Sequence, residues 1–256
     1  MTTLLILMPT PGHIDTPTVQ GLLGLTQALS KRGIGFALRT YEWSDIVISR
    51  NYLLSVFLAK TQFTHALLLD SDMSFEPDLF FKLMDFNEDF TVAAYPQRRM
   101  PWAAFRAAIE REATKPADQR ASTATLLAES LRYNIPGTSE KGQAWPMIRR
   151  DGFRKVPGAG TGFMLLTRAV VEKMSEMGVA SPVPDFNGPA YPDANFHDFF
   201  SHLRGRDGGV MHGEDTSFCR RWVAGCGGEI WCYEASRITH HGNLAYMGDY
   251  GLAPKP

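Results

Sequence analysis

Two carboxylates separated by one residue follow a hydrophobic run in the first third of the chain. The run Leu67-Leu68-Leu69 ends at Asp70, and Asp72 comes after the intervening Ser71. Because an open parallel sheet binds its ligands beyond the carboxyl ends of its strands, this place suits a binding site. Carboxylate oxygens are the ligands that Mg²⁺ and Mn²⁺ prefer, and these ions bridge proteins to diphosphates. The pair also fits an ordinary turn, so other features must decide between the two interpretations.

Two later groups of residues are suited to the same chemistry. Glu214 and Asp215 begin a predicted helix, where the helix dipole stabilises negative charge. His240 and His241 directly follow a predicted strand, and one imidazole is able to complete a metal site beside the aspartates. Helix capping explains the carboxylates equally well, and a structural role explains the histidines. The three signals in this order are stronger together than any one of them alone.

The segments that must position these side chains alternate between strand and helix patterns. A continuous apolar run at residues 4–8 predicts a strand buried on both faces, and a helical stripe extends over residues 19–29. Further strands are expected at 34–38, 65–69 and 90–95, with helices between them. Strands separated by helices predict an α/β fold, with a mostly parallel central sheet flanked by helices.

The second half of the chain has a less regular pattern. Residues 97–157 show no clear strand rhythm and carry several arginines, which indicates a partly helical excursion. Residues 181–195 are rich in Pro, Asp and Asn and predict a loop. The remaining expected elements are a strand at 163–166, a helix ending near Gly178, a helix at 214–224, and strands at 229–233 and 237–239.

Composition and charge weigh against several classes of protein. Of the 256 residues, 44% are hydrophobic and 21% are charged, as is ordinary for a soluble globular domain. The formal net charge of −1 offers no attraction to nucleic acid or anionic lipid, which weighs against a nucleic-acid partner but leaves one open. No run approaches the roughly 20 apolar residues of a membrane span, and the short apolar start suits a buried strand better than a signal peptide. Three cysteines without zinc or disulfide spacing favour a reducing, cytoplasmic location.

Taken together, these motifs resemble those of GT-A fold glycosyltransferases of the broad family-2-like group, in the nucleotide-diphospho-sugar transferase superfamily. The resemblance spans most of the chain except its middle. It implies a single Rossmann-like domain over residues 1–256, with a nucleotide-sugar-binding half at 1–96, the excursion at 97–157, and an acceptor and catalytic half with the C-terminal tail at 158–256. Its motifs are the apolar first strand, Ser49-Arg50-Asn51, Asp70-Ser71-Asp72, Gly160-Thr161-Gly162, Gly213-Glu214-Asp215 and a late histidine.

The same resemblance implies which residues meet a nucleoside diphosphate sugar. The loop after the first strand usually meets the nucleoside, and here it carries Thr10 and Pro11. An arginine before the third strand often contacts the donor, and Arg50 occupies the matching position. The Asp-x-Asp element, with Ser71 at its centre, binds the donor's ribose and its metal. The usual acidic pair after the second strand is replaced by Tyr-Glu-Trp-Ser-Asp at residues 41–45, so the resemblance assigns no base-recognition residue.

A metal site is implied at the Asp-x-Asp element. Asp70 is expected to face the ribose or the metal, and Asp72 is expected to bind the metal. The late histidine that serves as a further metal ligand corresponds to His241 or His240. Only one of the two reaches the metal if they lie in extended structure, and we favour His241. The cofactor expected is Mn²⁺ or Mg²⁺.

These features predict a metal-dependent glycosyltransferase. The sugar moves from a nucleoside diphosphate sugar to a hydroxyl of an acceptor whose class the sequence does not specify. Asp215 is the expected general base, and Glu214 is expected to bind the acceptor. Direct attack on the face opposite the diphosphate predicts inversion of the anomeric centre.

Two other classes of function remain open at this point. One is a nucleotidyltransferase or another metal-dependent enzyme of phosphate chemistry, such as a phosphohydrolase. A haloacid-dehalogenase-type phosphatase requires its aspartates after the first strand, where this chain has Pro9 and Thr10. The other class is a non-catalytic sugar or nucleotide binder on the same fold, because a fold does not fix a function.

Overall fold

Strands and helices alternate along the computed structural model of this protein, which describes residues 2–136, 147–184, 195–205, 211–242 and 246–252. The loop predicted at 181–195 lies largely outside these residues. The helices are α1 (Thr16–Lys31), α2 (Ile46–Ala59), α3 (Pro77–Asp85), α4 (Trp102–Ala113), α5 (Thr123–Ser130), α6 (Arg168–Glu176) and α7 (Glu214–Arg220). The strands are β1 (Thr3–Thr10), β2 (Gly35–Glu42), β3 (His65–Leu69), β4 (Met73–Phe75), β5 (Phe90–Ala93), β6 (Arg149–Arg150), β7 (Phe153–Val156), β8 (Phe163–Thr167), β9 (Ile230–Tyr233), β10 (Arg237–His240) and β11 (Tyr246–Asp249).

Among the described residues, eight strands form a central sheet in the order β2-β1-β3-β8-β5-β9-β7-β6. The predicted α/β fold class with a Rossmann-like arrangement is confirmed. The sheet is mixed, because β8 lies antiparallel between β3 and β5 while β2, β1 and β3 run parallel. The start of an antiparallel strand lies beside the end of its neighbour. The segment before β8 therefore reaches the residues that follow β3, and the backbone N–H of Asp70 donates to the carbonyl of Gly162 at 3.1 Å.

Helices cover both faces of this sheet, which explains the apolar runs in its central strands. Along β1, Leu4, Ile6 and Met8 pack with residues of α1 and α3, while Leu5 and Leu7 pack with residues of α2 and α6. Successive side chains of a strand point to opposite faces, so a strand buried on both sides has no polar alternation. In the part of the chain that the structure describes, no helix combines the length and apolar character needed to cross a bilayer.

The middle of the chain contains a hairpin that the sequence pattern did not predict. Besides α4 and α5, residues 97–157 include the strands β6 and β7, which pair antiparallel at the edge of the central sheet. The turn between them is Asp151-Gly152, and both residues have positive φ angles, 49° and 80°. Asp-Gly is a strong hairpin signal. The hairpin was not predicted because its two strands are short and contain arginines, so they show no apolar alternation.

Two glycines before β8, Gly160 and Gly162, allow the backbone there to lie close to the side chain of Tyr95, which follows β5. The hydroxyl of Tyr95 accepts a hydrogen bond from the backbone N–H of Gly162 at 3.0 Å. A Cβ on Gly160 would lie 2.3 Å from that hydroxyl oxygen and 2.8 Å from Nδ2 of Asn134. A Cβ on Gly162 would lie 2.5 Å from Cε of Met73. Only glycine leaves room for Tyr95 at this place.

We predict that Gly160→Ala lowers the free energy of unfolding by about 1–3 kcal/mol, because the added methyl must displace a buried side chain. Gly35→Ala is the matched control. Its Cβ would meet only Cγ2 of Thr3 at 3.4 Å, an ordinary contact, so its effect should stay within about 0.5 kcal/mol. Denaturant unfolding measures both variants. Equal losses in the two would contradict this packing argument.

Candidate functional site

A cavity of about 740 Å³ lies beyond the carboxyl ends of β1, β3 and β5. This is where an open α/β sheet binds its ligands, and the volume is ordinary for a small-molecule site. Its walls include every residue for which the sequence predicts a catalytic, donor-binding or metal-binding role, namely Thr10, Pro11, Arg50, Asp70, Ser71, Asp72, Glu214, Asp215, His240 and His241. The structure thus brings these residues together, and their individual roles remain predictions.

Arg50 connects three carboxylates from two distant parts of the chain. It lies on α2, and its side chain is only 5% exposed. Its Nη2 donates to Oδ1 and Oδ2 of Asp70 at 3.0 and 3.2 Å, and its Nη1 donates to Oε1 of Glu214 at 2.9 Å and to Oδ1 of Asp215 at 2.8 Å. Burial alone lowers the pKa of Arg50, but the charges of Asp70 and Asp215 outweigh burial and raise it above its ordinary value. The contact between Arg50 and a donor, expected from the sequence, remains a prediction.

Asp215 has an increased affinity for a proton. Its Oδ1 accepts from Oγ1 of Thr161 at 2.6 Å as well as from Arg50. Burial raises the pKa of Asp215, the charge of Arg50 lowers it, and the charge of Glu214 raises it again, so that the net direction is upward. Burial, the largest of these causes, thus acts against the ionised form that the start of α7 was expected to favour.

Asp72 and His240 face each other because β10 pairs antiparallel with β4, which places His240 opposite Met73. Nε2 of His240 lies 3.5 Å from Oδ2 of Asp72. Nδ1 of His240 lies 2.9 Å from the carbonyl oxygen of Pro96, and since a carbonyl only accepts, Nδ1 is the protonated nitrogen. In the neutral ring, Nε2 therefore presents a lone pair towards Asp72.

The two carboxylate oxygens of Asp72 differ in their hydrogen bonding. Nη1 of Arg98 donates to Oδ2 at 2.8 Å, whereas Oδ1 is buried and has no hydrogen-bond partner among the described residues. Burial raises the pKa of Asp72, but the hydrogen bond and charge that the protonated form of His240 supplies, together with the charge of Arg98, outweigh burial and lower it below its ordinary value. Asp72 therefore stays ionised over the working range of most enzymes.

His241, favoured from the sequence as the metal ligand, points to a different partner. Its Nε2 lies 2.8 Å from Oγ of Ser74, and its backbone N–H donates to the carbonyl of Asp72 at 2.7 Å. Neighbouring side chains in extended structure point to opposite sides, so only one of the two histidines is able to face Asp72. The structure gives the position facing Asp72 to His240, and which of the two histidines binds a metal ion remains a prediction.

The residues present fit a divalent cation that is also held by a substrate. No group of three or more His, Cys, Asp or Glu side chains in the described ranges is gathered closely enough to hold a metal by itself. Both oxygens of Asp70 are bonded to Arg50, whereas Oδ2 of Asp72 and Nε2 of His240 face each other at 3.5 Å, so these two side chains are the nearby candidates for metal ligands. Mg²⁺ is commonly bound by one or two carboxylates together with substrate phosphates and water.

Two residues of the cavity wall, and one residue that bonds to the wall, were assigned no role in the site from the sequence. Trp43, at 41% exposure, lies at the cavity directly after β2, and Tyr95 lies there shortly after β5. Thr161, which bonds Asp215, belongs to the segment before β8. The strand-end rule was sufficient to find Trp43 and Tyr95. Thr161 belongs to the Gly160-Thr161-Gly162 motif, but its contact with Asp215 could be expected only if β8 was known to run antiparallel to β3.

Comparison with known proteins identifies no family. No family model and no curated protein matches the chain. Solved structures with a similar fold include A197 from STIV (14% identity, 97% of this chain and 95% of that chain, TM-score 0.47), the catalytic domain of Drosophila beta1,4-galactosyltransferase 7 in complex with xylobiose (12%, 95% and 72%, 0.46) and S. aureus TarS in complex with UDP-GlcNAc (10%, 100% and 59%, 0.35). The structural neighbours thus include glycosyltransferases. At these identities and TM-scores the likeness carries no argument about chemistry, which must come from the site.

We predict that Arg50→Met destabilises the fold strongly at neutral pH, because three carboxylates lose their shared partner. Breaking a buried ion pair costs about 3–5 kcal/mol, and we expect the lower end because the carboxylates are 22–32% exposed. The loss should shrink as the pH is lowered, since protonation removes the uncompensated negative charge. Arg237→Met is the control, because its ion pair with Asp249 is at the surface and contributes little. Denaturant unfolding at several pH values tests this, and a pH-independent loss would contradict it.

Proposed function

We propose that this protein is a metal-dependent glycosyltransferase that moves a sugar from a nucleoside diphosphate to an acceptor hydroxyl with inversion. One observation carries the proposal: a single cavity beyond the strand ends holds Asp72 opposite His240 and also holds Asp215 bonded to Thr161 and Arg50, and the pKa values of the two carboxylates are shifted in opposite directions. The pKa of Asp72 is lowered beside His240, and the pKa of Asp215 is raised beside Thr161. Environments that separate two such carboxylates are typical of enzymes that divide electrostatic and proton-transfer roles between them.

The donor's diphosphate is assigned to the side of the cavity that carries Asp72 and His240. These two side chains would hold Mn²⁺ or Mg²⁺. A divalent cation bound there acts as a Lewis acid that stabilises the negative charge of the departing diphosphate. Asp70, which Arg50 fixes in place, is assigned to the ribose hydroxyls. Thr10, Pro11 and the exposed ring of Trp43 would face the nucleoside, and Trp43 offers an aromatic surface on which a base can stack.

The acceptor hydroxyl is assigned to the side that carries Asp215. Oδ1 of Asp215 accepts from Thr161 and Arg50, which leaves Oδ2 to take the acceptor's proton. The acceptor oxygen bonds to the anomeric carbon, the bond from that carbon to the diphosphate breaks, and the proton remains on Asp215. Glu214, held by Arg50 through Oε1, is placed to bind an acceptor hydroxyl through its other oxygen. Attack from the face opposite the diphosphate inverts the anomeric centre.

Turnover of nucleoside diphosphate sugars in the presence of Mn²⁺, followed by NMR, tests this proposal directly. Chelator-sensitive release of the nucleoside diphosphate, with the sugar passing to an added acceptor or to water, would support it. Release of pyrophosphate would indicate a nucleotidyltransferase. Binding of the donor without turnover would indicate a non-catalytic binder.

His240→Ala is predicted to weaken the Mn²⁺-dependent binding of a nucleoside diphosphate, whereas His241→Ala should leave most of it. Loss of a group that only supports a metal ligand costs about 10–100-fold in affinity, so loss of the ligand itself should cost at least as much. Titration calorimetry with and without Mn²⁺ measures both variants. Equal effects in the two would show that neither histidine has the role assigned here.

Asp215→Asn is predicted to lower kcat by about 10²–10⁴-fold while donor affinity changes little. The amide oxygen still accepts from Arg50 and Thr161, but it cannot take a proton. In the unmodified enzyme, kcat/KM should fall as the pH drops through the raised pKa of Asp215, because only the ionised form is a base. This acid limb should disappear in the variant. Retention of anomeric configuration in the product, or normal turnover by the variant, would remove Asp215 from this role.

A further inference from the structure

One loop contacts both of the residues that are proposed to hold the metal. It follows β5 and includes Pro96 and Arg98. The carbonyl oxygen of Pro96 accepts from Nδ1 of His240, and Nη1 of Arg98 donates to Oδ2 of Asp72. The base of the loop is fixed, because the backbone N–H of Gln97 donates to the carbonyl of Arg132 at 2.7 Å. The Arg98 side chain extends from this fixed base and remains half-exposed.

The guanidinium of Arg98 is bonded to the carboxylate oxygen of Asp72 that a metal ion beside His240 would contact. The oxygen to which it is bonded, Oδ2 of Asp72, is also the oxygen nearest to His240, with Nε2 at 3.5 Å. A cation between Asp72 and His240 would therefore lie against the same oxygen that Arg98 now contacts at 2.8 Å. Two positive groups at one carboxylate oxygen repel each other. Metal binding is therefore opposed as long as Arg98 remains on this oxygen.

The free energy of metal binding depends on whether Arg98 finds another anionic partner when it moves away from Asp72. A metal ion that binds alone removes a charge-assisted hydrogen bond and leaves a guanidinium beside a dication. A metal ion that binds with a diphosphate brings a new anionic partner, and guanidinium groups bind phosphate oxygens with two parallel hydrogen bonds. The Arg98 side chain is 52% exposed, so little packing opposes its movement.

We propose that Arg98 takes the place of the metal in the free protein and turns to the diphosphate when the donor binds. Metal and nucleoside diphosphate then bind tightly only together, and free metal is largely excluded. This inference rests on the metal role proposed for Asp72 and His240. By thermodynamic linkage, the factor by which the diphosphate raises metal affinity equals the factor by which the metal raises diphosphate affinity.

Mn²⁺ binding, followed by the electron paramagnetic resonance signal of the free ion, provides a test that does not depend on activity. Mn²⁺ is titrated alone and with UDP, GDP, CDP or dTDP. In the unmodified protein we expect the nucleoside diphosphate to raise Mn²⁺ affinity by about 5–150-fold, the usual range of such coupling. In Arg98→Ala, Mn²⁺ alone should bind several-fold more tightly, and the coupling factor should fall. Opposite changes in these two quantities distinguish displacement of Arg98 from a general loss of positive charge.

Two variants serve as controls. Arg99→Ala removes the same charge from the same loop, and the Arg99 side chain is exposed. The affinity for Mn²⁺ alone and the coupling factor should therefore stay near the values of the unmodified protein. Arg98→Lys keeps the charge without the planar fork, so it should still oppose free Mn²⁺ but couple less strongly to the diphosphate. Thermal unfolding of each variant in the absence of ligand shows whether the fold is retained.

The possible outcomes separate this inference from the proposed function. If the unmodified protein binds no nucleoside diphosphate in an Mn²⁺-dependent way, the proposed function is wrong and the inference is wrong with it. If Mn²⁺ and the nucleoside diphosphate do raise each other's affinity, but Arg98→Ala changes neither the affinity for Mn²⁺ alone nor the coupling factor, only the inference is overturned. If Arg99→Ala produces the same changes as Arg98→Ala, the effect belongs to the charge of the loop and the specific role of Arg98 is rejected.

Discussion

The geometry of the cavity depends on one buried guanidinium. Arg50 holds Asp70, at the end of β3, against Glu214 and Asp215, at the start of α7, although 144 residues of sequence separate Asp70 from Glu214. One positive charge faces three negative charges. This imbalance, together with burial, accounts for the raised pKa of Asp215. It also leaves the cavity with a surplus of negative charge, which disfavours an anionic ligand unless further cations accompany it. Arg98 is one such cation, and a divalent metal ion would be another.

Two antiparallel pairings bring the remaining groups to this centre. β8 enters between the parallel strands β3 and β5 in the opposite direction, so the segment before it, with Thr161, lies beside Asp70. β10 pairs with β4, so His240 lies beside Asp72. A purely parallel sheet would gather only the segments that follow strands. The reversed strands add the segment that precedes β8 and the residues at the end of β10.

Much of this arrangement follows from local sequence, and the remainder depends on contacts between distant residues. Asp70 and Asp72 were identified because a buried run ends beside them, and the α/β class followed from the alternation of patterns. The choice between His240 and His241 depends on the register of β10 against β4 and on the carbonyl of Pro96, which leave no local mark in the sequence. The hairpin β6–β7 did leave a mark at Asp151-Gly152, but its strands are too short to show periodicity. The contact between Gly160 and Tyr95 joins residues 65 positions apart and becomes visible only when both are placed in the fold.

The pairing of β10 with β4 has a consequence for the order in which the protein is made. β4 leaves the ribosome well before its partner strand, because 162 positions separate Phe75 at the end of β4 from Arg237 at the start of β10. A growing chain therefore carries Asp70 and Asp72 before it contains Glu214, Asp215 or His240. Contacts of such long sequence separation form late in folding, because the intervening loop must first be closed. The cavity can then assume its final composition only after β10 has been synthesised, so a chain that stops before β10 lacks the wall that His240 provides.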